Sequence, residues 1–267
     1  MRSLHVLPRI VTLAALAAMF VPRAGAQSLE RRLADLADGD AQFTFASRPG
    51  VCGDGASFIE DGLGGESRIY EGGHINGRMN RVDGPACMPG PVRVVAWVAG
   101  GEIIRLRTYA GPLARPAESR RDLGQVSVSD AVAFLRELAE RGSGRAAEQA
   151  LLPLVLADSI SPWPTLIRFA RSDRIVRAVH RSAAFWLSRG AAAKLGLSDV
   201  DQTEDDEVRS SAVFALSQQP RAESVPRLLE VARTSKRPAV RAQALFWLGQ
   251  TGDARAIDLF AEILERR

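Results

Sequence analysis

The residues best suited to chemistry lie in the first half of the chain. Cys52 and Cys87 are the only two cysteines. They lack C-x-x-C spacing, and His74 is the single histidine between them, so a disulfide explains the pair better than a metal site. Such a bridge contributes ~3–4 kcal/mol by constraining the unfolded chain. A catalytic thiol fits poorly, because His180 lies far off in a helical stretch. Asp54, Glu60, Asp61, Glu66 and His74 offer acid/base groups in a loop-rich region. No G-x-S-x-G, H-E-x-x-H or Walker loop accompanies them, and the glycine-rich stretch 62–67 lacks the lysine of a phosphate loop. Asp199 and Asp201 stand at the first and third positions of a calcium loop. Glu204 and Ser210 replace the glycine and glutamate that positions six and twelve require. The acids of 199–207 are read instead as a loop and a first helical turn from about Asp206, where negative charge meets the positive helix end. No metal and no cofactor is expected. Arg105 and Arg107 alternate along one strand and could bind an anion, although a solvated sheet face is the plainer reading.

These residues sit within a segmented chain. Arg2 and Arg9, the apolar run 10–21 and Ala24-Gly25-Ala26 form the three parts of a signal peptide over 1–26. That implies an exported, periplasmic or secreted protein. No other segment approaches the length of a membrane span, so a soluble mature chain is expected. A short helix is predicted in 27–39, capped by Ser28 with Leu29, Leu33 and Leu36 on one face. Residues 40–113 carry most of the glycines and read with a period near two: a small antiparallel β domain stapled by Cys52–Cys87. Its clearest element is a hairpin over 92–109 turning at Gly100-Gly101. A two-residue turn there pairs Trp97 with Ile104 and Val95 with Leu106 on a core face. Val94 then pairs with Arg107, and Ala96 with Arg105, on a wetter face. Residues 114–128 read as a linker.

From 129 to 267 the chain is helical and repeats. Val179, Val208 and Val240 recur at spacings of 29 and 32 residues. They are followed in phase by Ala183, Ala212 and Ala244, by Phe185, Phe214 and Phe246, and by Leu187, Leu216 and Leu248. Ala146, Ala150 and Leu154 mark a decayed earlier copy. Second helices are predicted at 130–140, 164–171, 226–233 and 254–265, with Pro164 and Pro226 in first turns, and a short one at 189–197. Helix pairs at such a period mean an α-solenoid of about four repeats, each burying its face against its neighbours.

The stretches Asp206-Glu207-Val208-Arg209…Ala212…Leu216, Pro238-Ala239-Val240-Arg241…Ala244…Leu248-Gly249 and Gly252-Asp253-Ala254-Arg255-Ala256 resemble HEAT-like repeats of the short type also found in phycobilin lyase subunits. The resemblance covers about 129–267. It implies a curved helical scaffold for protein binding and names no catalytic group. The fold expected is thus α+β and multidomain: a small disulfide-stapled antiparallel β domain, then a C-terminal α-solenoid of HEAT-like helix pairs.

Candidate partner surfaces are the ladder Phe185, Phe214 and Phe246 and the basic ladder His180 or Arg181, Arg209 and Arg241. Each has a structural alternative: lateral packing for the phenylalanines, bonds to a neighbouring repeat for the arginines. Leu259 and Ile263, off the main face of the last helix, suggest an end covered by a partner, a second copy or another part of the chain. The function expected is an exported protein- or peptide-binding adaptor without catalysis of its own. The alternatives are a hydrolase-like envelope enzyme with its site in the β domain, and an envelope component that self-associates through its C-terminal repeat. Nucleic acid is not an expected partner. The formal charge of +4 comes from 35 basic and 31 acidic residues, and three of the bases, Arg2, Arg9 and Arg23, belong to the signal segment.

Overall fold

The computed structural model describes residues 28–63, 66–70, 73–77, 87–112, 120–142, 144–197 and 204–266. The expected signal peptide, 1–26, lies outside the described residues. Helix α1 (Leu29–Ala34) begins where expected: Ser28 Oγ accepts the Arg31 N–H, and Leu29 and Leu33 are buried.

Strand β1 (Gly39–Phe45) alternates Ala41, Phe43 and Phe45 into the core. A second sheet follows, of β2 (Val51–Gly53), β3 (Phe58–Asp61), β4 (Glu66–Tyr70), β5 (Gly73–Gly77) and β6 (Met88–Pro89). It is antiparallel throughout, in the order β5-β4-β3-β2-β6. Cys52 lies opposite Pro89, and its sulfur stands at disulfide distance from Cys87, with the Cα atoms 5.2 Å apart. The pair holds the short edge strand β6 against β2.

Strands β7 (Val92–Ala99) and β8 (Glu102–Ala110) form the expected hairpin. Gly100 and Gly101 supply φ values of 59° and 76°, the left-handed backbone that a two-residue turn demands. The register beyond the turn differs from expectation by one residue. Val98 faces Ile103, but Trp97 faces Arg105, Ala96 faces Leu106 and Val95 faces Arg107. Ile104 is the extra residue of a bulge and is 55% exposed. A one-residue shift exchanges faces. Val94, Ala96 and Leu106 therefore line the core, and Trp97 and Val95 share the other face with Arg105 and Arg107.

Strand β9 (Arg121–Gln125) pairs parallel to β1 and completes a sheet ordered β8-β7-β1-β9. Residues 121–125 are thus sheet rather than linker. Only Leu123 among them is buried, so their sequence shows no alternation to betray a strand. The opposite edge is capped by a side chain, as Gln149 Oε1 accepts the Leu106 N–H at 2.9 Å.

Nine helices follow in the described residues: α2 (Val128–Arg141), α3 (Gly144–Gln149), α4 (Leu151–Leu156), α5 (Trp163–Arg171), α6 (Arg177–Lys194), α7 (Glu204–Ser217), α8 (Arg221–Thr234), α9 (Pro238–Thr251) and α10 (Ala254–Glu265). One hydrophobic core runs from the sheet into them. Phe134 of α2 meets Phe43 edge-on at 5.8 Å. Arg48 N–H donates to Leu156 O, and Asp158 N–H donates to Ala46 O. A buried ionic cluster seals the junction. Asp61, 3% exposed at its side chain, pairs with Arg189 of α6 at 3.2 Å. Arg48 donates to the Asp61 carbonyl. Burial pushes the Arg48 guanidinium below its ordinary range; the Asp61 charge opposes that shift and Arg189 adds to it. Among the described residues no helix is long and apolar enough to cross a membrane.

The helices depart from expectation in three places. The segment 189–194 is not a separate second helix but continues α6, where the Trp163 ring lies against Gly190. Pro226 is inside α8 rather than in its first turn; Pro220 holds the N-cap position instead. The stacking also leaves chain order. Helix α9 packs on α6, α7 and α8, while α10 packs chiefly on α5 and α6. The pair α9/α10 therefore sits between α5/α6 and α7/α8. A Cβ on Gly249 would stand 2.4 Å from Ser188 Oγ, so α6 and α9 touch through their backbones there.

Two substitutions test this architecture. Arg189→Met leaves the Asp61 carboxylate buried without its cation and should cost about 2–4 kcal/mol in urea unfolding. Adding Asp61→Asn should recover part of that loss; an unchanged single variant would remove the junction's role. Gly249→Ala should lower stability by about 1–3 kcal/mol through overpacking against Ser188. A wild-type melting curve for that variant would show that α9 does not lie on α6.

Candidate interaction surface

The three ladder phenylalanines do not form one line. Phe185 is half-buried and meets Trp186 at 5.2 Å within α6. Phe214 of α7 and Phe246 of α9 converge on Trp247, with ring centroids at 5.2 and 5.0 Å. Phe214 is 47% exposed and Phe246 39% exposed. Ala212 and Ala215 of α7 are exposed as well. The cause is the stacking order. Helix α7 is the outermost member of the array, with Val213 buried and much of its remaining surface uncovered. Rings that would be lateral packing in a chain-order stack are left at the surface.

The basic ladder is partly structural. Arg241 is half-buried, and its Nε donates to Ala232 O of the preceding helix at 3.4 Å. His180 lies beside the Gly252 turn, which brings the start of α6 to the end of α9. Arg181 and Arg209 are exposed on α6 and α7. At the C-terminal helix, Leu259 is buried and Ile263 half-buried, and what lies over α10 is the chain itself, through α5 and α6. Arg171 pairs with Asp258 across that contact at 2.8 Å. Gly252, at φ 62°, and Asp253, whose carboxylate accepts the Arg255 N–H, make the turn into α10.

Among the acid/base candidates, Glu60 and Asp61 are neighbours on β3, and Glu60 lies opposite Glu66 of β4. Asp61 is engaged with Arg189 and the Leu63 N–H. Glu60 Oε2 lies 3.6 Å from Cys52 Sγ. The side chains of Glu66 and His74, and residues 198–203 of the acidic run, lie outside the described residues. Asp206 is buried in the first turn of α7 and pairs with Arg237 at 3.0 Å. Asp54 accepts the N–H groups of Ala56, Ser57 and Phe58 and the Ser57 hydroxyl. Partial burial alone would raise its pKa, but these four donors outweigh it and hold the carboxyl at about 2. That is a turn-forming role. A cleft of about 270 Å³ between α1, the β7–β8 turn and α2 is lined by Ala34, Ile103, Phe134, Glu30, Glu102 and Glu137. Its Glu137 already pairs with Arg141 at 2.8 Å.

Sequence reasoning missed Trp247, which follows Phe246 but stands outside the repeating Val, Ala, Phe and Leu positions. It also missed Trp97 as a neighbour of the arginines, because the bulge at Ile104 leaves no mark in the composition. Residues 197–267 match the family model for HEAT repeats. No curated protein and no solved structure matches the chain.

Asp54 generates a pH prediction. Its folded pKa is depressed to about 2 from 3.8, so its stabilisation is present above the ordinary carboxylate range and is lost as pH falls through about 2. The carboxylate is only partly buried and solvent screens it, so Asp54→Asn should cost only about 1 kcal/mol at neutral pH. The deficit should vanish between pH 4 and 2 in acid-unfolding curves. A deficit that persists at pH 2 would contradict the role of the charge.

Proposed function

We propose that the protein is an exported adaptor that binds a protein or peptide partner on its helical array, without catalysis of its own. HEAT repeats over 197–267 support an interaction scaffold, since such helices bury one face against each other and offer the other. We read the array as a solenoid-type scaffold whose last pair is tucked inward. The observation that carries the reading is the pair of exposed rings, Phe214 and Phe246, gathered on the half-buried Trp247. Exposed aromatic rings gathered on well-packed helices are the usual anchors of binding energy. Trp247 is held in place by its neighbours, so the cluster is pre-formed and loses little side-chain entropy on contact. Export is supported by the three-part segment 1–26 and by the cysteine pair at disulfide distance, which suits an oxidising compartment.

The test is the full chain carrying Phe214→Ser and Phe246→Ser together, compared with wild type in affinity capture from an envelope extract. Deleting 126–267 would be uninformative, because Phe134 and Gln149 belong to the sheet's own core and edge. The double variant should keep its melting temperature and lose its specific partners at least tenfold. Retention of the same partners would defeat the proposal.

A further inference from the structure

The outer face of the four-stranded sheet carries a second feature, which does not depend on the adaptor reading. Across β1, β7 and β8 one row of that face runs Asp40, Trp97, Arg105, and the next runs Gln42, Val95, Arg107. Arg120 arrives just ahead of β9. Three guanidinium groups thus surround one indole: Arg105 lies 5.2 Å from the Trp97 ring centroid, and Arg107 and Arg120 each lie at 5.9 Å. Arg120 is neutralised by Asp40 at 2.8 Å. Arg105 and Arg107 have no carboxylate and no hydrogen-bond acceptor among the described residues. The Arg105 Nε is sealed from solvent without a partner among the described residues, and the Trp97 ring face lies against its guanidinium. All three arginines and Trp97 are half-buried, and of the arginines only Arg120 has an ionic partner among the described residues.

We propose that this face is a binding site for a phosphate group, with Arg105 and Arg107 as its ligands and Trp97 as its floor. Charge selects the class. Three cations less the Asp40 carboxylate leave two positive charges, which match the dianion that a phosphate or phosphomonoester carries near neutral pH. Geometry agrees, because guanidinium forks bind oxyanions through parallel N–H donors, and stacking on an aromatic ring fixes the plane of the fork beforehand. Mutual repulsion of neighbouring guanidinium groups is relieved when an anion enters. The remaining arginine of this face, Arg93, is already used: it donates to Gly55 O at 2.6 Å and stacks on Tyr109.

The experiment is calorimetric titration of the full chain at constant ionic strength with inorganic phosphate, phenyl phosphate and acetate. Phosphate should bind and acetate should bind at least tenfold more weakly. Tighter binding of phenyl phosphate than inorganic phosphate marks an ester group as the source; equal or weaker binding marks the free ion. Arg105→Gln and Arg107→Gln should each weaken phosphate at least tenfold. Asp40→Asn removes a like charge and releases Arg120, so it should tighten phosphate severalfold; this keeps a gain-of-affinity readout if an arginine variant folds poorly. No phosphate binding by wild type, acetate binding as tight as phosphate, or affinity unmoved by all three variants overturns the site.

Discussion

The Asp61–Arg189 pair is the constraint on which the two halves of the molecule depend. A carboxylate buried to this degree is stable only with a cation and donors around it. Its cation comes from the C-terminal third of α6, and its backbone neighbour Leu63 supplies a further donor. Arg48 then bonds the Asp61 carbonyl while its own N–H reaches Leu156 at the end of α4. The second sheet, the hinge after β1 and two helices are thereby fixed by one charge centre. The uninterrupted length of α6 follows from the same requirement. A break at position 189 would remove the rigid element that carries Arg189 to the sheet.

Much of this fold was legible in the sequence where local chemistry decides structure. Ser28, the Gly100-Gly101 turn and the Gly252-Asp253 helix junction all fall where short-range rules place them, and Cys52 and Cys87 pair because there is no other cysteine to choose. The helical half was legible because its apolar spacing repeats. What escaped is set by contacts distant in sequence. The bulge at Ile104 satisfies the sheet's core face and is invisible in a strand of alternating polarity. Strand β9 exists because β1 offers it an open edge, not because Arg121–Gln125 prefers to be extended. Pro226 is tolerated in the second turn of α8 because packing of Val225, Leu228 and Leu229 outweighs one missing N–H.

The candidate surfaces were legible in a different measure. Repeat phase alone singled out Phe214 and Phe246, but not that they share Trp247 or that Phe185 turns away. Arg105 and Arg107 were visible as an anion-binding pair, yet the register expected for the hairpin put Trp97 behind them on the opposite face. A shift of one residue converted two isolated arginines into a cluster around an aromatic ring. Side-chain partnership across a sheet is that sensitive, because its period is two.

The inward position of α9/α10 has a bearing on how the chain reaches this state. A polypeptide made N-terminus first presents the α6 surface well before its occupant exists. Until α9 and α10 emerge, that apolar surface is either bare or covered by the repeat-related α7/α8. Completion of the array therefore waits for α9 and α10, with the slow loop closures that long-range contacts impose. These two helices act as a latch, and a chain released before them would carry an unfilled groove instead of a shortened but finished stack.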